Sequence, residues 1–133
     1  MKFKAPILAA AAALGLSMNP ALAEPGVSGD AVAFAQVAAL AGPAAALGTG
    51  MQTGILAAFD EWNAKGGVHG RKLTLDSIDD GYEPDRAAAR TEAVITGGKH
   101  FALIGAVGTP TSQAAQPAAT AAGVPFIRPL TGA

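Results

Sequence analysis

The sequence predicts an α/β fold, an open parallel sheet with helices on both faces. Three observations carry this expectation. Short apolar runs alternate with amphipathic stretches along the chain, and the joins between them are brief and rich in Gly and Pro. The run Phe101-Ala102-Leu103-Ile104 is apolar without interruption, as in strands covered on both sides. Strands that alternate with helices imply βαβ units joined by right-handed crossovers.

The elements follow in order. Ala31 to Leu40 (AVAFAQVAAL) lies between Gly29-Asp30 and Gly42-Pro43 and reads as a buried strand. Leu47, Met51, Ile55, Phe59 and Trp62 recur at helical spacing, with Asp60, Glu61 and Lys65 on other faces. This stripe places Trp62 in the core. Gly66-Gly67 ends the helix, since glycine takes the left-handed conformation that closes a last turn. Lys72 to Asp79 is a second strand, and Asp79-Asp80-Gly81-Tyr82-Glu83-Pro84 turns the chain. Pro84 suits a first helical turn, where its missing N–H is not needed. That helix runs to about Thr96 before Gly97-Gly98. After Phe101–Ile104, Gly105 to Gly108 leads into Thr109-Pro110-Thr111-Ser112, a helix-start signature. This third helix ends at Gly123, and Pro117 should bend it or delay its regular part. Val124 to Ile127 is the fourth strand.

The first 23 residues read as a cleaved secretory signal peptide. Met1-Lys2-Phe3-Lys4 is cationic, Ala5 to Met18 is apolar apart from Ser17, and Ala21-Leu22-Ala23 supplies the small residues of a cleavage site. Fourteen apolar residues cover about 21 Å as a helix, short of a ~30 Å hydrocarbon core, which argues against a membrane anchor. The mature chain would run from Glu24 to Ala133, and loss of Lys2 and Lys4 takes the net charge from −1 to −3. No membrane insertion is expected after cleavage.

Composition excludes several classes. The chain lacks cysteine, so disulfides, thiolate metal sites and a Cys nucleophile are out. No Lys/Arg cluster follows Lys4, which removes the electrostatic footprint of a nucleic-acid binder. His69 and His100 have no local ligand pattern, so no metal is expected. GAVGTP matches neither nucleotide-binding fingerprint, and Ser112 lacks the GxSxG elbow of a hydrolase. Neither a cofactor nor a catalytic residue is expected.

In an open parallel sheet, ligands bind beyond the carboxyl ends of the strands. The segment Gly105 to Ser112 places hydroxyls and backbone N–H groups at a helix N-terminus, which carries roughly half a positive charge. A carboxylate could dock there without Lys or Arg. Equally, Thr109 could simply cap its own helix. Thr131 offers a second hydroxyl at the neighbouring strand end. Asp79-Asp80 could be an acid–base pair, but an acidic pair at such a junction usually bonds its own turn. Tyr82 could stack on a ligand, and Arg128 could meet an anion or be an ordinary exposed strand-end residue.

Several motifs then carry a resemblance: Gly42-Pro43…Gly48, Asn63-Ala64-Lys65-Gly66-Gly67-Val68-His69-Gly70-Arg71-Lys72, Asp79-Asp80-Gly81-Tyr82-Glu83-Pro84, Ala102-Leu103-Ile104-Gly105 and Gly123-Val124-Pro125-Phe126-Ile127. Together, across Ala31 to Ala133, the chain resembles the ABC-transporter solute-binding proteins of the leucine/branched-chain amino-acid-binding type. The resemblance implies a type I periplasmic binding protein whose two α/β lobes close on a small ligand, an amino acid or related carboxylate, and pass it to the membrane permease of an ABC transporter. It implies ligand-binding roles for Thr109, with Thr111 and Ser112 beside it, for Leu130, Thr131 and Gly132, and for Gly42 lining the cleft. Many members carry two adjacent small hydroxyl residues where this chain has Gly108-Thr109, and Pro110 removes one N–H donor.

Members have two full lobes and a hinge, so residues 24–133 are expected to be an incomplete N-terminal lobe. Such a half cleft should bind amino acids only at millimolar levels or weaker, and its open apolar sheet edge should promote aggregation. Two other functions are weighed: a periplasmic sensor of ligands such as amides, and a small exported enzyme using Asp79-Asp80.

Overall fold

The structure, a computed structural model, describes residues 24–132; the leader read at residues 1–23 lies outside the described residues. The element order is β1 (Ala31–Ala38), α1 (Ala45–Ala64), β2 (Lys72–Asp79), α2 (Pro84–Gly97), β3 (Ala102–Ile104), α3 (Thr109–Ala122) and β4 (Phe126–Ile127). The strands form one sheet in the order β2-β1-β3-β4, and every pairing is parallel. The step from β1 to β2 runs one way across the sheet, and the next two steps run the other way. Right-handed crossovers therefore put α1 on one face and α2 with α3 on the opposite face.

Register explains the core. Val37 lies opposite Ile78, and Leu103 lies opposite both Ala35 and Phe126. These side chains share one face and pack with Val94 and Ile95 of α2 and Ala119 of α3. On the other face Phe34 meets Phe59 of α1, ring centroids 5.2 Å apart, and Phe101 edge-on at 6.0 Å. Gln36 lies opposite Ser77 on that same α1 face and is wholly buried. Its amide nitrogen donates to the carbonyls of Gly48 (3.2 Å) and Gly105 (3.1 Å), while its oxygen accepts from Ser77 Oγ (2.9 Å). One side chain thus ties β1, α1, β2 and the loop after β3 together.

Three boundaries differ from the sequence reading. β1 ends at Ala38 because the N–H groups of Leu40 and Ala41 turn to Asp79 Oδ1, at 2.7 and 3.1 Å. β4 shrinks to two residues, since Val124 N–H closes α3 through Ala119 O and Pro125 has no N–H. α3 is assigned as helix throughout and passes through Pro117. Pro117 deprives the Gln113 carbonyl of its helical donor, and both residues lie on the exposed side of the helix.

Trp62 corrects the sequence reading most clearly: it is 55% exposed, and Leu47 is 46% exposed, where the helical stripe had put both in the core. At 100° per residue the two fall on the flank of α1 shared by Met51, Gly54 and Ala58. That flank borders an apolar groove of about 490 Å³ over β3, lined also by Ile55, Phe59, Ile104, Gly105 and Arg128. No described helix lies over the β3–β4 half of this face. Of the stripe only Ile55 and Phe59 are therefore buried, together with Gly48 beside them.

At the sheet's β2 edge, Asn63 substitutes for a missing strand. Its side-chain amide donates to Leu73 O (2.9 Å) and accepts from Leu73 N–H (2.8 Å). No helix among the described residues is long and apolar enough to cross a membrane.

Candidate ligand-binding site

Every strand delivers its following loop to one end of the sheet, as a parallel arrangement must. The loops after β3 and β4 are joined there. Leu130 N–H donates to Ala106 O (2.8 Å) and Gly108 N–H donates to Leu130 O (2.9 Å), so pairing continues beyond the strands proper through a Val107–Leu130 bridge. Gly132 N–H then donates to Thr109 Oγ1 (3.2 Å). Thr109 and the Leu130-Thr131-Gly132 segment, 23 residues apart at the Thr109–Gly132 contact, thus stand side by side.

Thr109 is not the cap of its own helix. The capping position belongs to Gly108, no side-chain cap bond forms, and Thr109 is the first helical residue. The Thr109 hydroxyl accepts from the neighbouring loop instead and keeps its own proton for donation. Ser112 N–H makes the first turn's bond, to Gly108 O at 3.0 Å. The N–H groups of Thr109 and Thr111 have no acceptor among the described residues. Two N–H groups and one O–H are therefore left without an acceptor in the first turn, at the positive end of a 14-residue helix, with Thr109 half-buried and Thr111 buried.

The other sequence-selected residues are placed as follows. Thr111 is buried, and its hydroxyl donates to the carbonyls of Val107 and Gly108, which fixes the turn rather than facing outward. Ser112 is 5% exposed, and its Oγ has no hydrogen-bond partner among the described residues. Leu130 contributes backbone, while its side chain and Thr131 are exposed. Gly42 sits on the β1 loop at φ +78°, exposed, and does not touch the Thr109 pair of loops in any described hydrogen bond.

The Asp79-Asp80 pair serves the scaffold. Asp79 Oδ1 accepts from Leu40, Ala41 and Gly81 N–H groups, clasping the β1 loop to the β2 turn. The Leu40 N–H holds the Asp79 carboxyl below the usual range, helped by Gly81, Ala41 and the Arg86 guanidinium and opposed by desolvation. Asp80 is 1% exposed, and burial pushes its carboxyl up, with the Asp79 charge adding and the Tyr82 N–H bond opposing. One oxygen receives that N–H at 2.8 Å; Oδ2 has no partner among the described residues.

Two features escaped the sequence reading. His100 pairs with Asp76 at 2.7 Å although 24 residues separate them, a contact only the sheet creates. Tyr82 adopts φ +66° and packs with Leu40, Ala44 and Met51 over Ala38, Ala39 and Val107. The unusual backbone could not be read from residue type, because only glycine advertises a positive φ.

The strand ends thus carry unpaired donors in the first turn of α3, while Asp79 and one oxygen of Asp80 are committed to backbone N–H groups. The matching family model, described as periplasmic binding protein, spans residues 31–133, and the chain belongs to that family of solute-binding proteins. It is 38% identical over 103 residues to the Leu/Ile/Val-binding protein of Citrobacter freundii, covering 77% of this chain and 26% of that protein. Among solved structures, a possible leucine/isoleucine/valine-binding protein from Rhodopirellula baltica superposes with TM-score 0.75 at 40% identity, covering 84% of this chain and 29% of that one. The branched-chain amino acid transporter substrate-binding protein LivJ of Streptococcus pneumoniae, in complex with isoleucine, gives 0.72 at 33% identity, covering 77% and 29%. The chain thus spans about a quarter of the length of the relatives it matches, and its fold is that of type I periplasmic binding proteins.

Proposed function

We propose that this chain forms part of an extracytoplasmic receptor for branched-chain amino acids that feeds an ABC importer. The observation that carries the reading is the donor cluster at the start of α3. Thr109 O–H and the N–H groups of Thr109 and Thr111 lie in the first turn of that helix and have no acceptor among the described residues. An α-carboxylate accepts such bonds, and each bond to a charged group is worth about 1.5–3 kcal/mol. The names of the relatives support the ligand class, and the signal-like residues 1–23 support export to the periplasm, with the permease as the membrane partner. On this reading Leu130, Thr131 and Gly132 contribute from the loop paired with Thr109, Thr111 and Ser112 brace the loop after β3 from within α3, and Gly42 contributes from the β1 loop.

The test is an NMR titration of the isotopically labelled chain with L-leucine, L-isoleucine and L-valine, which reads affinities into the millimolar range. The amides of Thr109, Thr111 and Gly132 should shift together in a saturable way. Thr109→Val should weaken binding at least about tenfold, the equivalent of ~1.4 kcal/mol. Saturable shifts confined to another part of the sheet, or none with any of the three amino acids, would refute the assignment.

A further inference from the structure

We propose that Tyr82 is a ligand-contacting residue of this site, its phenol O–H donating to the ligand carboxylate held at Thr109; this rests on the functional reading above. Four observations converge on it. Tyr82 holds a left-handed backbone at φ +66°, a conformation that a bulky non-glycine residue adopts only when its surroundings impose it. Its N–H is anchored at 2.8 Å by Asp80, whose carboxyl is buried at the end of β2. Its ring lies directly on Gly108: a Cβ built there would come within 2.6 Å of Tyr82 Cε2 and 2.9 Å of Cζ. The carbon that bears the hydroxyl is therefore seated against the residue that precedes Thr109. Finally, the Tyr82 hydroxyl makes no hydrogen bond among the described residues, although its ring is half-buried against the loops after β1 and β3.

A buried tyrosine hydroxyl usually finds a protein partner. Here the ring packs against the loops while the hydroxyl bonds none of the described residues. Strain at a conformation held by a buried carboxylate tends to mark positions kept for function. Here the strained backbone turns an amphipathic ring across three strand-end loops and seats its hydroxyl-bearing carbon against Gly108, the residue before Thr109. The ring face supplies an apolar floor, and the phenol supplies one further donor for the carboxylate.

The experiment compares wild-type and Tyr82→Phe chains in the same NMR titration with L-leucine, alongside their thermal unfolding. Phenylalanine keeps the ring on Gly108, so packing is preserved and only the O–H is lost. Leucine binding weakened about tenfold or more, with the melting temperature unchanged, supports the proposal. Wild-type binding at Thr109 with Tyr82→Phe within twofold of it overturns the proposal and leaves the functional reading intact. No titration of the wild-type chain by any aliphatic amino acid overturns both.

Discussion

Gln36 is the side chain on which the geometry of the site depends. Changing it to leucine keeps the volume and removes three hydrogen bonds, to Gly48, Gly105 and Ser77. The Gly48 carbonyl, inside α1, retains its helical donor, whereas the Gly105 carbonyl and Ser77 hydroxyl lose the contact outright. Net hydrogen bonds are worth about 0.5–1.5 kcal/mol and a buried orphaned group costs about 1–3 kcal/mol, so the expected loss is ~2–4 kcal/mol. At about 4 °C per kcal/mol for a chain of this size, Gln36→Leu should melt roughly 8–16 °C below wild type. Thermal unfolding followed by circular dichroism measures this directly. Pairing the change with Ser77→Ala in a double-mutant cycle isolates the one side-chain bond, expected at ~1 kcal/mol of coupling. A Gln36→Leu chain melting within about 2 °C of wild type would refute the reasoning, because it would mean that the loop after β3 is held by backbone pairing alone.

Three further outcomes are expected. Gly108→Ala puts a methyl group 2.6 Å from Tyr82 Cε2 and 2.8 Å from Thr111 Oγ1 at φ +96°; it should destabilise by about 2–3 kcal/mol in urea titration and abolish amino-acid binding. Asp79 and Asp80 should give opposed pH dependences: the stability from Asp79, whose folded carboxyl titrates low, is present above the unfolded value of 3.8 and is lost as pH falls below it. Asp80 titrates high in the fold, so its charged form is a burden at neutral pH that is relieved on acidification. Asp79→Asn should accordingly lower the melting temperature at pH 7 and have less effect well below pH 3.8, and Asp80→Asn should be neutral or stabilising at pH 7 and lose that advantage in acid. Sedimentation velocity at rising concentration should show self-association of the chain through the apolar groove beside α1, and Trp62→Lys, on an exposed flank, should reduce it while shifting stability by less than about 0.5 kcal/mol.

Much of the architecture was legible in the residues themselves. Gly66-Gly67, Gly97-Gly98 and Gly123 punctuate the helices, Pro84 and Pro110 open two of them, and β2 occupies the Lys72–Asp79 span read from its short alternation. These signals are local, arising from backbone freedom, a missing N–H or a two-residue period, so sequence alone carries them. The gathering of the loops at one end of the sheet was likewise readable, because the βαβ order dictates it.

What the sequence could not carry are the facts set by which strands become neighbours. Trp62 belongs to a helical apolar stripe, yet lies exposed because no described element packs over that flank of α1; periodicity specifies an apolar face and says nothing of what covers it. Gln36 sits inside an apolar run and acquires meaning only when the register sets it opposite Ser77 and beneath Gly105. Thr109 carries the marks of a helix cap, and its hydroxyl instead receives Gly132 N–H from a loop that the β3–β4 pairing brings alongside. Composition, punctuation and the chemistry available were determined along the chain, whereas the partners of each polar group were decided by long-range strand pairing, a property of the folded sheet and of no single segment.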